Sequence, residues 1–139
     1  KDGKEVTLSY KDIAEGKITM TDEDGNVTTL GSTDLSQVPA WVPRADDLSD
    51  GVCLFHSEAG GKVSGQFAGK SAKGVEDLKT DFEGAASAEG LSSSSTNSMS
   101  LNGTSVATLE FSGSGKTLKI VITEKSGSDT LINTHYSEN

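Results

Sequence analysis

From residue 51 to residue 136 the chain is divided into short segments of alternating apolar and polar residues, and most of the dividers are three-residue glycine turns. Alternation with period two puts the apolar side chains on one face of a strand. A turn that short joins only antiparallel neighbours, because a parallel pair needs a crossover of a dozen or more residues. The pattern therefore constrains the chain to an antiparallel sheet.

Residues 51–58 read as a strand, Ala59-Gly60-Gly61 as a turn, and residues 62–68 as the returning strand, with Val63, Gly65 and Phe67 on one face. Further along, residues 106–112 carry Ala107, Leu109 and Phe111 on one face, and residues 116–124 carry Leu118, Ile120 and Ile122. Residues 130–136 close the sheet with Ile132 and Tyr136. Gly113-Ser114-Gly115 and Ser126-Gly127-Ser128 are the turns between these three. Residues 91–97 read as a weaker, serine-rich strand.

One interval breaks the period. Over residues 72–89, Val75, Leu78, Phe82 and Ala85 recur at spacings of three and four, which aligns them on one stripe of a helix. Ser71 stands at the N-cap position, and Gly90 is placed as a left-handed C-cap. The main body then reads strand-strand-helix-strand-strand-strand. The fold class that follows is α+β: a two-layer structure in which an antiparallel sheet carries one helix on one face and leaves the other face polar.

Ahead of this body lies a small β-meander. Val6, Leu8 and Tyr10 alternate with polar residues, Ile18 and Met20 repeat the pattern, Asp22-Glu23-Asp24-Gly25-Asn26 supplies a turn, and residues 27–30 return. Residues 31–50 read as a connector holding both prolines, Pro39 and Pro43. Residues before proline avoid the helical region, so this connector is expected to be extended, with Trp41 plugging the seam between meander and body. The domain division expected is residues 1–38 and residues 39–139.

Composition narrows the function. Leu, Ile, Val and Phe make up about 21% of the 139 residues, enough for one modest core. The formal net charge of −9 opposes binding to nucleic acid and to anionic membrane surfaces. A lone cysteine, Cys53, sits in an apolar run and reads as a buried structural thiol. No apolar stretch approaches the ~18–20 residues of a membrane-spanning helix.

No segment carries a catalytic or cofactor motif. Ser112-Gly113-Ser114-Gly115-Lys116-Thr117 looks like the end of a phosphate-binding loop, but Glu110 stands where the first glycine belongs and a strand follows, so a hairpin turn is expected. Residues 22–33 look like the start of a calcium loop, yet Val27 and Thr33 occupy the positions of its glycine and glutamate. His56 and Cys53 are three apart, which on a regular strand sets them on opposite faces. His135 follows Asp129 on the last strand, and no Gly-x-Ser-x-Gly elbow accompanies either histidine. Neither cofactor nor metal is implied.

Residues 39–138 resemble a small domain of bacterial exported proteins and lipoproteins of unknown function. The likeness rests on Val38-Pro39-Ala40-Trp41-Val42-Pro43, Gly65-Gln66-Phe67, Gly74-Val75-Glu76-Asp77-Leu78, Asp81-Phe82, Gly90-Leu91, residues 117–122 and residues 129–133; Glu83 departs from it, standing where that domain has tyrosine. The resemblance implies an extracytoplasmic location, in the periplasm or envelope, and a lipid anchor upstream of Lys1. It carries no catalytic residue. The expected function is a non-enzymatic module that binds an envelope protein or polymer through the outer sheet face or a groove near Trp41, with Trp41, Arg44 and His135 as the partner surface. The alternatives are a spacer domain of a longer lipoprotein, and a small hydrolase whose site assembles around His56 or His135.

Overall fold

The computed structural model describes residues 5–7, 18–21, 23, 25, 27–32, 35 and 38–139. Among them are nine strands and one helix. Three short strands come first, β1 (Glu5–Thr7), β2 (Ile18–Thr21) and β3 (Val27–Ser32). Six long ones follow: β4 (Ser49–Ala59), β5 (Lys62–Ser71), then, after the helix α1 (Val75–Ala88), β6 (Ser92–Leu101), β7 (Thr104–Gly113), β8 (Lys116–Lys125) and β9 (Thr130–Glu138). All pair antiparallel in one sheet of order β1-β2-β3-β4-β5-β9-β8-β7-β6. Tyr10, the aspartates of the 22–33 segment and Thr33 lie outside the described residues.

Three hairpins close on two-residue loops whose residues both have positive φ: Gly60-Gly61, Asn102-Gly103 and Ser114-Gly115. That geometry matches the right-handed twist of the flanking strands. Ser112 to Thr117 is accordingly a hairpin end and not a phosphate loop. The serine-rich segment is a full ten-residue strand, so four strands follow the helix where the order read from the alternation has three.

Chain order and sheet order diverge once. From β5, in the middle of the sheet, α1 carries the chain across one face to the far edge; β6, β7, β8 and β9 then return until β9 pairs with β5. The helix packs on β6, β7 and β8. Its buried residues are Val75, Leu78, Phe82 and Ala86, so the stripe ends one residue later than Ala85. Beneath it lie Ala107, Leu109, Ile120 and Ile122, each fully buried.

The helix ends as expected and begins otherwise. Gly90 at φ 81° closes a Schellman motif, with Leu91 N–H donating to Ala86 C=O at 2.9 Å and Gly90 N–H to Ser87 C=O at 3.0 Å. At the other end Gly74 is the N-cap, and the Val75 N–H donates to Glu124 Oε1 of β8 at 2.8 Å. Ser71 does not cap it. Its hydroxyl points into the buried face of β5 and donates to Asp47 Oδ1 at 2.6 Å, which keeps residue 71 in the strand. Asp47 also accepts the Ala72 N–H at 2.8 Å, and these two bonds, the serine's first, lower its pKa.

The part of the inner face that α1 leaves open is covered by residues 38–48. This segment turns instead of running extended: Val38 N–H donates to Leu35 C=O, Val42 to Pro39 and Leu48 to Ala45, each at 3.1 Å. Only the residues before the prolines are barred from helical angles. Ala40 and Trp41 are free to turn, and doing so buries Val38, Trp41, Val42 and Ala45. Leu48 settles directly on Gly69, where a Cβ would come within 2.5 Å of its Cδ1. One core unites both covers with the sheet.

Phe82 is 1% exposed at the centre of the helix stripe. Phe82→Ala is expected to cost about 3–5 kcal/mol, as for other buried aromatics. Urea unfolding measures it, and an unchanged midpoint would remove Phe82 from the core.

Candidate functional site

Two polar clusters occupy opposite faces of the sheet. The inner one comes from an irregularity in β4. Cys53 pairs with Phe67 of β5, but Phe55 pairs with Gln66, so Leu54 is an extra residue in the ladder. A bulge of this kind inverts the alternation beyond it. His56 therefore shares the buried face with Cys53, and the expectation that their odd spacing separates them is overturned. Cys53 is fully buried and His56 is 2% exposed.

His56 pairs with Gly65 across β4 and β5, and Gly65 pairs with Tyr136 across β5 and β9. With no side chain at residue 65, the tyrosine ring lies over the middle strand and reaches the histidine. A Cβ there would stand 2.2 Å from Tyr136 Oη and 2.8 Å from the Phe55 carbonyl oxygen. His56 Nδ1 lies 2.6 Å from Tyr136 Oη, and His56 Nε2 lies 3.0 Å from Glu58 Oε2. A carboxylate only accepts, so in the neutral ring Nε2 carries the proton and Nδ1 accepts the tyrosine O–H. Burial raises the Tyr136 pKa above its ordinary value, with smaller contributions from the neighbouring Cys53 and Glu58. Tyr136 is 1% exposed, so its hydroxyl is shut off from solvent. Chemically this chain of bonds locks β4, β5 and β9 together.

Trp41 belongs to this inner side. Its ring meets Tyr136 edge-on at 6.5 Å between centroids, its Nε1 donates to Glu138 Oε1 at 3.1 Å, and Lys116 Nζ lies 5.4 Å from the ring centroid. It is a lid on the core at the β8–β9 end, not a plug at the meander seam, where β3 pairs directly with β4. Arg44 is exposed on the same side, its Nη2 donating to Leu35 C=O at 3.1 Å and its guanidinium 5.9 Å from the Phe67 ring centre.

His135 lies on the opposite face, because it alternates with the buried Thr134 and Tyr136 along β9. The three residues expected to form one partner surface are thus split between two faces. What His135 joins is a depression of about 630 Å³ across β4, β5, β9 and β8. Its floor is apolar: Val52, Ala68, Val121 and Leu131. The small side chain of Ala68 keeps the centre low between longer neighbours. Around the floor stand Gln66, Lys70, Lys119, Asn133 and His135. Gln66 Nε2 donates to Asn133 Oδ1 at 2.6 Å, and Lys70 Nζ approaches Asp50 Oδ2 at 3.7 Å. Leu131 is half exposed.

Beside the depression runs a row of hydroxyls. Ser57, Ser64, Ser137, Thr117, Ser112 and Ser92 stand opposite one another in successive strands from β4 to β6, and Thr28 continues the row onto β3. Strand spacing sets their repeat at about 4.8 Å. Thr28 Oγ1 donates to Ser57 Oγ at 3.4 Å, and Thr117 and Ser137 are hydrogen-bonded. The alternation identified this face as polar but missed both the apolar floor and the row. Two pairs of the row were readable: Ser57 and Ser64 are equidistant from Gly60-Gly61, as Ser112 and Thr117 are from Ser114-Gly115. Ser137 joins them only through the long-range β5–β9 and β8–β9 pairings.

Among the described residues no group of three or more His, Cys, Asp or Glu is placed to hold a metal ion, and no helix is long and apolar enough to cross a membrane.

Two measurements test the inner cluster. Gly65→Ala is expected to lower stability by about 3 kcal/mol, the upper end for an overpacked methyl group, in urea unfolding. For pH, a raised folded-state pKa means that the neutral phenol's contribution is complete below the unfolded tyrosine value, about 10, and is lost as pH rises beyond it. The urea midpoint should therefore fall above pH 10, less steeply in Tyr136→Phe than in the parent chain.

The chain matches no family model, no curated protein and no solved structure.

Proposed function

We propose that this chain is a non-enzymatic module of the bacterial cell envelope or of a secreted protein, and that it binds a protein or polymer partner on the outer face of its sheet. The observation that carries this reading is the depression across β4, β5, β9 and β8, with its apolar floor and a polar rim in which Asp50 is the one acidic residue. In a chain of net charge −9, the lining sets Lys70, Lys119 and His135 against a single carboxylate, Asp50, so the depression is less acidic than the chain as a whole. The hydroxyl row supports a polymeric ligand, because a regular array of donors and acceptors suits a repeating partner.

Leu131→Asp places a charge on the floor at a half-exposed position and leaves the core intact. In affinity capture from an envelope extract after cross-linking, the partner retained by the parent chain is expected to fall by about tenfold or more with Leu131→Asp and with His135→Ala, and to persist with Arg44→Ala on the opposite side. Capture that ignores both outer-face substitutions would move the function off this face and favour the reading of the domain as a spacer.

A further inference from the structure

We infer that β6 is a pairing edge, and that its partner is β6 of a second copy of this chain, joined antiparallel about a two-fold axis to give one continuous sheet. The inference goes beyond the outer-face reading and does not depend on it.

Among the described residues, strand β6 ends the sheet, bonded to β7 on one side only. Half of its backbone N–H and C=O groups therefore turn away from the sheet, and such groups are obligatory hydrogen-bonding groups. Exposed edges are usually blunted by shortness, charge, proline or bulges. This edge is ten residues long, Ser92–Leu101, and holds no proline and no charged residue. Its one irregularity lies at the start, between Ser93 and Ser95. Ser95 to Leu101 is a run of unbroken register. At the other end of the sheet, by contrast, β1 has only three residues.

Charge and apolar exposure select the second copy as occupant. Two molecules of net charge −9 repel each other over most approaches. A β6–β6 contact brings an uncharged strand against an uncharged strand, so the edge itself adds no charge to that repulsion. Met99 and Leu101 are 68% and 71% exposed, the most exposed large hydrophobic residues among those described, and both stand on this edge. The strand is also complementary to itself. Directly opposed residues share a face, so a two-fold placed at Ser98 sets Ser95 against Leu101, Thr96 against Ser100 and Asn97 against Met99 with every side chain kept on its face. Each Met99 is then diagonal to the other, within reach of a long side chain. Hydroxyl pairs of the kind formed at Thr96–Ser100 already occur on this strand, where Ser100 Oγ and Ser105 Oγ lie 2.9 Å apart. The axis is perpendicular to the sheet, so the two outer depressions open on the same side.

The test is the mass of the 139-residue chain in solution, by sedimentation equilibrium from micromolar to millimolar concentration. The parent chain is expected to approach twice 14.4 kDa as concentration rises. Ser98→Lys and Met99→Lys change exposed side chains outside the core, and each is expected to weaken association by about tenfold or more while circular dichroism stays that of the parent. Amide hydrogen exchange supplies a second reading: protection along residues 95–101 should rise with concentration in the parent chain and not in Ser98→Lys. A single-chain mass at every concentration overturns the inference, as does a dimer that neither lysine weakens.

Discussion

The docking of β9 on β5 is the contact on which the rest of the structure depends. It joins two runs of sequentially adjacent antiparallel strands, β1 to β5 and β6 to β9, and it is the long-range pairing that makes them one sheet. At its end Tyr136 crosses Gly65 to reach His56, so that a single row of three residues ties three strands together. The glycine is not there for a turn. It is there because any side chain would occupy the space of the tyrosine hydroxyl. Trp41 and the 38–48 segment then close over this row, while α1 covers the opposite half of the same face.

This division of the inner face explains how a chain with about 21% Leu, Ile, Val and Phe builds a single core. Helix and turn segment each contribute a few large residues, and sheet residues of one face supply the remainder. Among the described residues, no helix or turn segment covers the opposite face. Its side chains sort into an apolar floor with a polar rim and, alongside, a row of hydroxyls. Neither feature serves the core, and both are presented on rigid strands, which is where a binding surface keeps its geometry.

The helix start shows how local rules yield to tertiary ones. Ser71 has the chemistry of an N-cap, but its hydroxyl is drawn to Asp47, and the first helical N–H is met instead by Glu124 from β8. The bond anchors the helix to the sheet as well as capping it. Thr130 Oγ1 donates to the Lys73 carbonyl at 2.6 Å and reinforces the same junction.

What the sequence by itself determined is whatever depends on neighbours along the chain. Alternation marked β4, β5, β7, β8 and β9, glycine pairs marked their hairpins, spacings of three and four marked the helix, and Gly90 marked its end. These are local because turn geometry and side-chain direction are set within a few residues. The tertiary structure alone decided the face of His56, since one extra residue at Leu54 inverts the parity that the alternation rule assumes. It alone decided that Trp41 and Arg44 lie opposite His135, because a turning segment packs where apolar surface is left uncovered and not where its sequence position suggests. The outer depression and the completed hydroxyl row were likewise invisible, being built from strands distant in the chain that only the β5–β9 pairing brings side by side.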